Sequence, residues 1–212
     1  MALAIRTLGF GYRLGVAIRT LRMRRQLRKL PRQRVADFDE NKLGKIIGNA
    51  VAHGPVLQAP LTDRLCVYYA LEIKRYEYKV EETVHDEQRT VPFALDDGTG
   101  QATIDAETAQ FSTSFDHAIK ITAGQETPFQ RELLASFGLP ITGRVQLVYY
   151  LREAVIALDQ QICLVGAGIR ELDTKASALV DGAYRDGTQT TLHLAGSDRF
   201  PLVITDDPRV LK

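Results

Sequence analysis

The sequence predicts a mostly β protein: an elaborated, OB-like small β-barrel with one inserted helix, carried behind an N-terminal helix. Three observations lead there. Short runs of alternating apolar and polar residues recur between positions 45 and 205, separated by turns rich in Gly and Asp. One well-capped helix interrupts them near residue 128. Charge is segregated: residues 1–36 hold ten basic and no acidic residues, a net +10, which leaves 17 basic and 26 acidic residues and a net −9 beyond. The whole chain of 212 residues, 45% hydrophobic and 25% charged, sums to only +1 and is long enough to bury a sizeable core. We therefore divide it into a basic helical segment, 1–36, and a β domain, 37–212.

The leader reads as helix through residue 30, since Pro is absent until Pro31, although Gly9, Gly11 and Gly15 weaken it by roughly 1 kcal/mol each. Arg6 and Arg13 interrupt any signal-peptide core. A full membrane span is disfavoured because each mid-bilayer arginine costs about 2.5–3.5 kcal/mol. Three readings stand for Arg6, Arg13, Arg19, Arg22, Arg24, Arg25, Arg28 and Lys29. They serve a helix lying on an anionic membrane surface, with a targeting role as a variant; a helix packed on its own domain or an acidic partner; or contact with nucleic acid.

In the β domain, residues 45–52 form the first expected strand. Leu65, Val67, Tyr69, Leu71 and Ile73 then alternate with Cys66, Tyr68, Ala70, Glu72 and Lys74 along the longest one. It runs toward Val80, before an acidic loop over 81–88. Residues 91–95 and 101–105 are short strands joined by Asp96, Asp97, Gly98, Thr99 and Gly100, a tight-turn sequence. Residues 106–126 read as a loop or ragged insertion. Thr127, Pro128 and Gln130 start the helix as a capping box, Phe129, Leu133, Leu134 and Phe137 supply its apolar face, and Gly138 and Pro140 end it. Strands come next at 144–151, 153–158 and 162–169, then a final hairpin at 185–187 with strands near 189–194 and 201–205. A helix between the third and fourth strands is the OB order, but the strand count exceeds a minimal barrel. A β-sandwich is the alternative.

No catalytic constellation is recognisable, and no metal or cofactor is expected. His53, His85, His117 and His193 are scattered without metal-ligand spacing. Cys66 and Cys163 sit in apolar strand-like stretches and read as buried reduced thiols, with a single disulfide between them as the other option. Gly166 and Gly168 lack a third glycine for a dinucleotide loop and read as points of close backbone approach or a bulge. Asp96 and Asp97 read as turn formers, because adjacent residues project to opposite sides. Tyr68, Tyr69, Tyr76 and Tyr78 offer a base-stacking platform, yet the −9 charge opposes a phosphate backbone, so packing is the better account.

Several stretches match one known pattern: Gly48 to Val51, Ala59-Pro60-Leu61-Thr62 with Cys66 to Tyr69, and Val91-Pro92-Phe93 through Asp96, Asp97, Gly98, Thr99 and Gly100. Tyr150 to Glu153, Leu164 to Gly166 and Pro201 to Thr205 extend it over roughly 46–205. On these residues the chain resembles the BAM or GIDE domain, the membrane-adjacent domain of the MULAN/MAPL family of mitochondrial E3 ubiquitin ligases. The resemblance implies a membrane-proximal interaction domain. Family ligases carry a RING whose zinc ions need about eight Cys/His ligands. With two cysteines the chain is expected to lack a RING and to transfer no ubiquitin. The expected function is thus a non-catalytic domain, cytoplasmic and peripheral to a membrane. It binds an anionic surface through the leader and an unidentified protein or ligand through the barrel. The alternative is an OB-like nucleic-acid binder that uses the arginine segment as an arm.

Overall fold

The computed structural model describes residues 30–139, 141, 147–172, 190–197 and 200–211. The leader cations and the 185–187 hairpin lie outside them. Twelve strands and one helix are formed among the described residues.

Five strands close a barrel: β1 (Gly44–Ala52), β5 (Phe93–Asp96), β6 (Gln101–Ile104), β10 (Gln161–Leu172) and β11 (Thr190–Ala195). β1 pairs antiparallel with both β5 and β10, β5 with β6, and β10 with β11, while β6 and β11 run parallel. Around the barrel the order is first, second, third, fifth, fourth and back to first, the OB-type Greek key. β12 (Leu202–Thr205) extends the sheet antiparallel to β10, and β7 (Ala109–Ser112) adds to β12 in parallel. Alternation along each strand sends Ile46, Ala50, Leu95, Ile104, Leu164, Leu192 and Ile204 inward to one buried core.

The surplus strands are inserted into this barrel and build a half-barrel of their own. It comprises β2 (Leu57–Gln58), β3 (Leu65–Glu77), β4 (Val80–Thr90), β8 (His117–Thr122) and β9 (Val148–Ala157). β3 lies at its centre, against β9 on one side and β4 and β2 on the other, with β8 beyond β9. β3 is buried on both faces. A register shift between Cys66 and Tyr68 breaks the expected alternation, so Cys66 joins Tyr69, Leu71 and Ile73 facing the helix, and Tyr68 and Ala70 face the barrel core.

The helix α1 (Pro128–Ser136) begins as the sequence dictates. The Thr127 hydroxyl accepts from the Gln130 amide at 3.2 Å, and the Gln130 side chain accepts from the Thr127 amide at 3.0 Å. It ends at Gly138, whose φ of +67° lets the Leu139 amide donate back to the Leu134 carbonyl at 2.9 Å. Although α1 falls between the third and fourth barrel strands in sequence, Leu133 and Leu134 pack into the half-barrel core. Phe129, expected on the apolar face, is 54% exposed, because so short a helix turns only these two leucines inward.

Four expectations about individual elements are corrected. Residues 81–88 belong to strand β4, not a loop: its carboxylates face cations on β3, with Arg75 and Glu82 at 2.6 Å and Lys74 bonded to Glu81. Charge suits an edge strand with one side in water. Residues 106–126 contain β7 and β8; in β8 the exposed Ala118 and Lys120 alternate with the inward-facing Ile119 and Ile121. The runs at 144–151 and 153–158 are, over the described residues, the single strand β9. The two final strands, read as partners, do not pair with each other: β11 lies between β10 and β6, β12 between β10 and β7.

Candidate functional site

The turn between β5 and β6 joins the segment following the leader to the barrel. Asp96 accepts from the Gly98 amide at 2.8 Å and from the Gln101 side chain at 3.2 Å. One Asp97 oxygen accepts from the Thr99 amide at 2.9 Å and hydroxyl at 2.7 Å, and the other from the Val35 amide at 2.9 Å. The Thr99 hydroxyl in turn accepts from the Ala36 amide at 3.2 Å. Gly100 packs beside the Val35 side chain. The two aspartates thus hold backbone, each on its own set of donors.

The same segment is fastened again further along. The Gln33 amide donates to the Lys45 carbonyl at 2.8 Å, and the Arg32 guanidinium to the Ile47 carbonyl at 3.3 Å. The Arg170 guanidinium spans the carbonyls of Val35 at 2.6 Å and Ala36 at 2.8 Å. Val35 and Phe38 complete the barrel core. Residues 32–38 form a strap across the barrel.

Beside the strap lies a shallow cleft of about 390 Å³, lined by Arg32, Ile47 and Gly48, the Asp96–Asp97 turn, Asp159 and Gln161. At Gly48, one of its lining residues, a Cβ would stand 2.4 Å from the Asp96 carbonyl oxygen. On β10 a Cβ at Gly168 would stand 2.8 Å from the His193 carbonyl oxygen, the close backbone approach expected there, whereas at Gly166 it would meet the Leu202 side chain at 2.6 Å.

Burial raises the pKa of Asp97, but the donors from Thr99, Val35 and Gly100 outweigh it and hold the carboxyl below its usual value. A group depressed in the fold stabilises fully above its unfolded pKa, about 3.9, and loses that contribution as pH falls through its lower folded value. The stability difference between wild type and Asp97→Asn should therefore be largest near neutrality and shrink below about pH 4. Denaturant unfolding of both proteins at neutral and acid pH measures it.

Other singled-out residues are buried in the fold or lie beside its strands. Pro92 precedes β5, and Phe93 is wholly buried. Tyr68 is buried and stacks on Phe111 with ring centroids 3.9 Å apart. Tyr69 is buried too, so neither ring is open to stack on a base. Cys66 and Cys163 are free thiols in separate clusters, each pushed up to about 11 chiefly by burial. Among the described residues no group of three or more His, Cys, Asp or Glu could hold a metal ion, and no helix is long and apolar enough to cross a membrane.

Sequence reasoning missed the buried acids of the half-barrel. Glu153, wholly buried, accepts from the Leu61 amide at 2.7 Å and the Thr62 hydroxyl at 2.6 Å, which fixes the Pro60 loop to β9. Glu72, also wholly buried, is paired with Arg152, whose guanidinium lies 4.5 Å from the Phe115 ring centroid. Glu87, read as part of a solvated loop, is buried on β4, where Tyr69, His85 and Arg89 bond it. Only the placement of Glu72 and Glu153 inside strongly apolar runs could have pointed to them.

These contacts define a class: an OB-type barrel fused to a half-barrel, its motif residues used for closure and attachment. Residues 71–174 match the model of the GIDE family, described as E3 Ubiquitin ligase, and the chain carries a GIDE domain there. The match spans most of β3 through β10, taking in Pro92, Phe93, the 96–100 turn and Gly166, while Gly48, Pro60, Cys66 and Tyr68 precede it. No curated protein and no solved structure matches the chain.

Proposed function

We propose that this GIDE domain is a non-catalytic, membrane-proximal binding module. The cationic leader contacts an anionic membrane surface, and the acidic barrel presents the Gly48–Asp96 cleft to a protein or ligand partner. The observation that carries the reading is charge segregation, +10 on residues 1–36 against −9 on the rest. A cation near an anionic leaflet contributes about 1 kcal/mol, so the eight from Arg6 to Lys29 suffice for reversible attachment, whereas the acidic remainder is repelled. The strap supports the reading as well, because it leaves little slack between leader and barrel.

Sedimentation with phosphatidylcholine vesicles containing about one third phosphatidylserine, at low salt, tests it. The full chain should pellet. A variant with Arg6, Arg13, Arg19, Arg22, Arg24, Arg25, Arg28 and Lys29 all changed to Gln should stay in solution with its fold intact. Substitution is preferable to truncation at residue 37, which would remove Val35 from the barrel core. A wild-type chain that stays in the supernatant defeats the proposal.

A further inference from the structure

The hairpin between β3 and β4 ends in a turn built from residues that its geometry disfavours. Tyr78 and Lys79 hold the two central positions with φ of +49° and +67°. Asn and Gly enter that left-handed region cheaply, whereas larger side chains enter it at a cost. Little packing offsets the cost. Tyr78 is 67% exposed and Val80 65%, the two most exposed large hydrophobic side chains among the described residues. Among those residues β9 pairs with β3 only as far as Tyr76, so the turn stands beyond the neighbouring strand. Local strain at an exposed point persists where contact with something outside the chain makes use of it.

The chemistry of the tip selects the kind of surface. Tyr78, Lys79 and Val80 set side by side a ring with a polar end, an amine on an apolar stem and a branched aliphatic group. Such groups sit at the boundary between headgroups and acyl chains. Behind the turn the pattern continues: the Tyr76 ring meets Tyr150 edge-on at 4.9 Å, and the Lys120 amine lies 5.8 Å from the Tyr150 centroid. Charge is compatible with an anionic leaflet here. In residues 74–82 Lys74, Arg75 and Lys79 balance Glu77, Glu81 and Glu82, while residues 37–212 as a whole sum to −9. Glu81 and Glu82 are bound by Lys74 and Arg75 across the hairpin, which further blunts their repulsion. We propose that this turn is a second membrane contact, with Tyr78, Lys79 and Val80 entering the headgroup layer of an anionic bilayer. The inference rests on the membrane reading above and adds which end of the barrel domain meets the bilayer.

Two measurements on the full chain test it, both with phosphatidylcholine vesicles containing about one third phosphatidylserine at low salt. In a chain with Cys66→Ser and Cys163→Ser, a nitrobenzoxadiazole probe on Tyr78→Cys should brighten and shift to the blue when vesicles are added. The same probe on Glu107→Cys, exposed in the loop after β6, should not change. A chain that pellets while the probe at position 78 stays unchanged overturns this inference and leaves the membrane reading standing. A chain that does not pellet overturns both. The second measurement keeps both cysteines. Tyr78→Asn with Lys79→Gly and Val80→Thr gives the turn its preferred residues, so this variant should melt above wild type. Its vesicle affinity should nevertheless fall at least about fivefold, because interfacial binding scales with the apolar area inserted. Unchanged affinity overturns the inference and leaves the exposed turn to a protein partner.

Discussion

Glu153→Ala should lower the free energy of unfolding by about 3 kcal/mol, since hydrogen bonds to a charged group contribute roughly 1.5–3 kcal/mol each and their loss strands the donors. The carboxylate is wholly buried and holds two donors, the Leu61 amide and the Thr62 hydroxyl. Leu61 is itself buried, so its N–H has no route to water once the acceptor is gone. The loop at 59–62 would detach from β9, taking Ala59 and Leu61 out of the half-barrel core. Glu153→Gln should cost about 1 kcal/mol, because the amide keeps one acceptor for Leu61 and the Thr62 hydroxyl can rotate to accept from its nitrogen. Urea titration of the three proteins reads the difference. Equal midpoints for wild type and Glu153→Ala would show that the buried acid does not hold the loop.

Gly48→Ala is expected to cost about 3 kcal/mol, at the upper end of the usual range for overpacking. The added carbon would lie 2.4 Å from the Asp96 carbonyl oxygen and 2.6 Å from a Leu95 methyl. The first contact is backbone, which has no rotamer to change, and β5 is held from both sides by β1 and β6. Relief therefore requires opening the β1–β5 ladder. Gly100→Ala is the matched control, since its nearest contact is a Val35 methyl at 3.3 Å that can shift. Thermal unfolding should put Gly48→Ala well below both wild type and Gly100→Ala. If the two variants melt together, the tight approach at Gly48 is not limiting.

Local chemistry was legible wherever it was decisive. The Thr127–Gln130 capping box, the Asp96–Gly100 turn and the apolar runs that become β1 and β10 each announce themselves within a few residues. The OB order of the barrel also emerges from counting elements around the helix. What stayed hidden depends on partners far away in sequence. β4 looks like a loop because Glu81 and Glu82 find their partners, Lys74 and Arg75, only across a hairpin. That hairpin turns at Tyr78 and Lys79, both with positive φ, where Asn and Gly would have been the readable signal. The Asp97 turn was identified as a turn, but nothing local says that it would hold Val35, sixty-two positions earlier.

The parallel pairing of β6 with β11 and of β7 with β12 governs how a nascent chain can acquire this shape. The half-barrel strands all lie between Leu57 and Ala157, so that unit can assemble while the ribosome is still adding the C-terminal strands. β6 must wait with its edge unsatisfied until Leu192 to Leu194 emerge, and β7 until Leu202 to Thr205 do. Such distant register makes closure slow and keeps two strand edges open to aggregation in the interval. Chaperone demand during biosynthesis should therefore centre on the barrel, not on the half-barrel threaded through it.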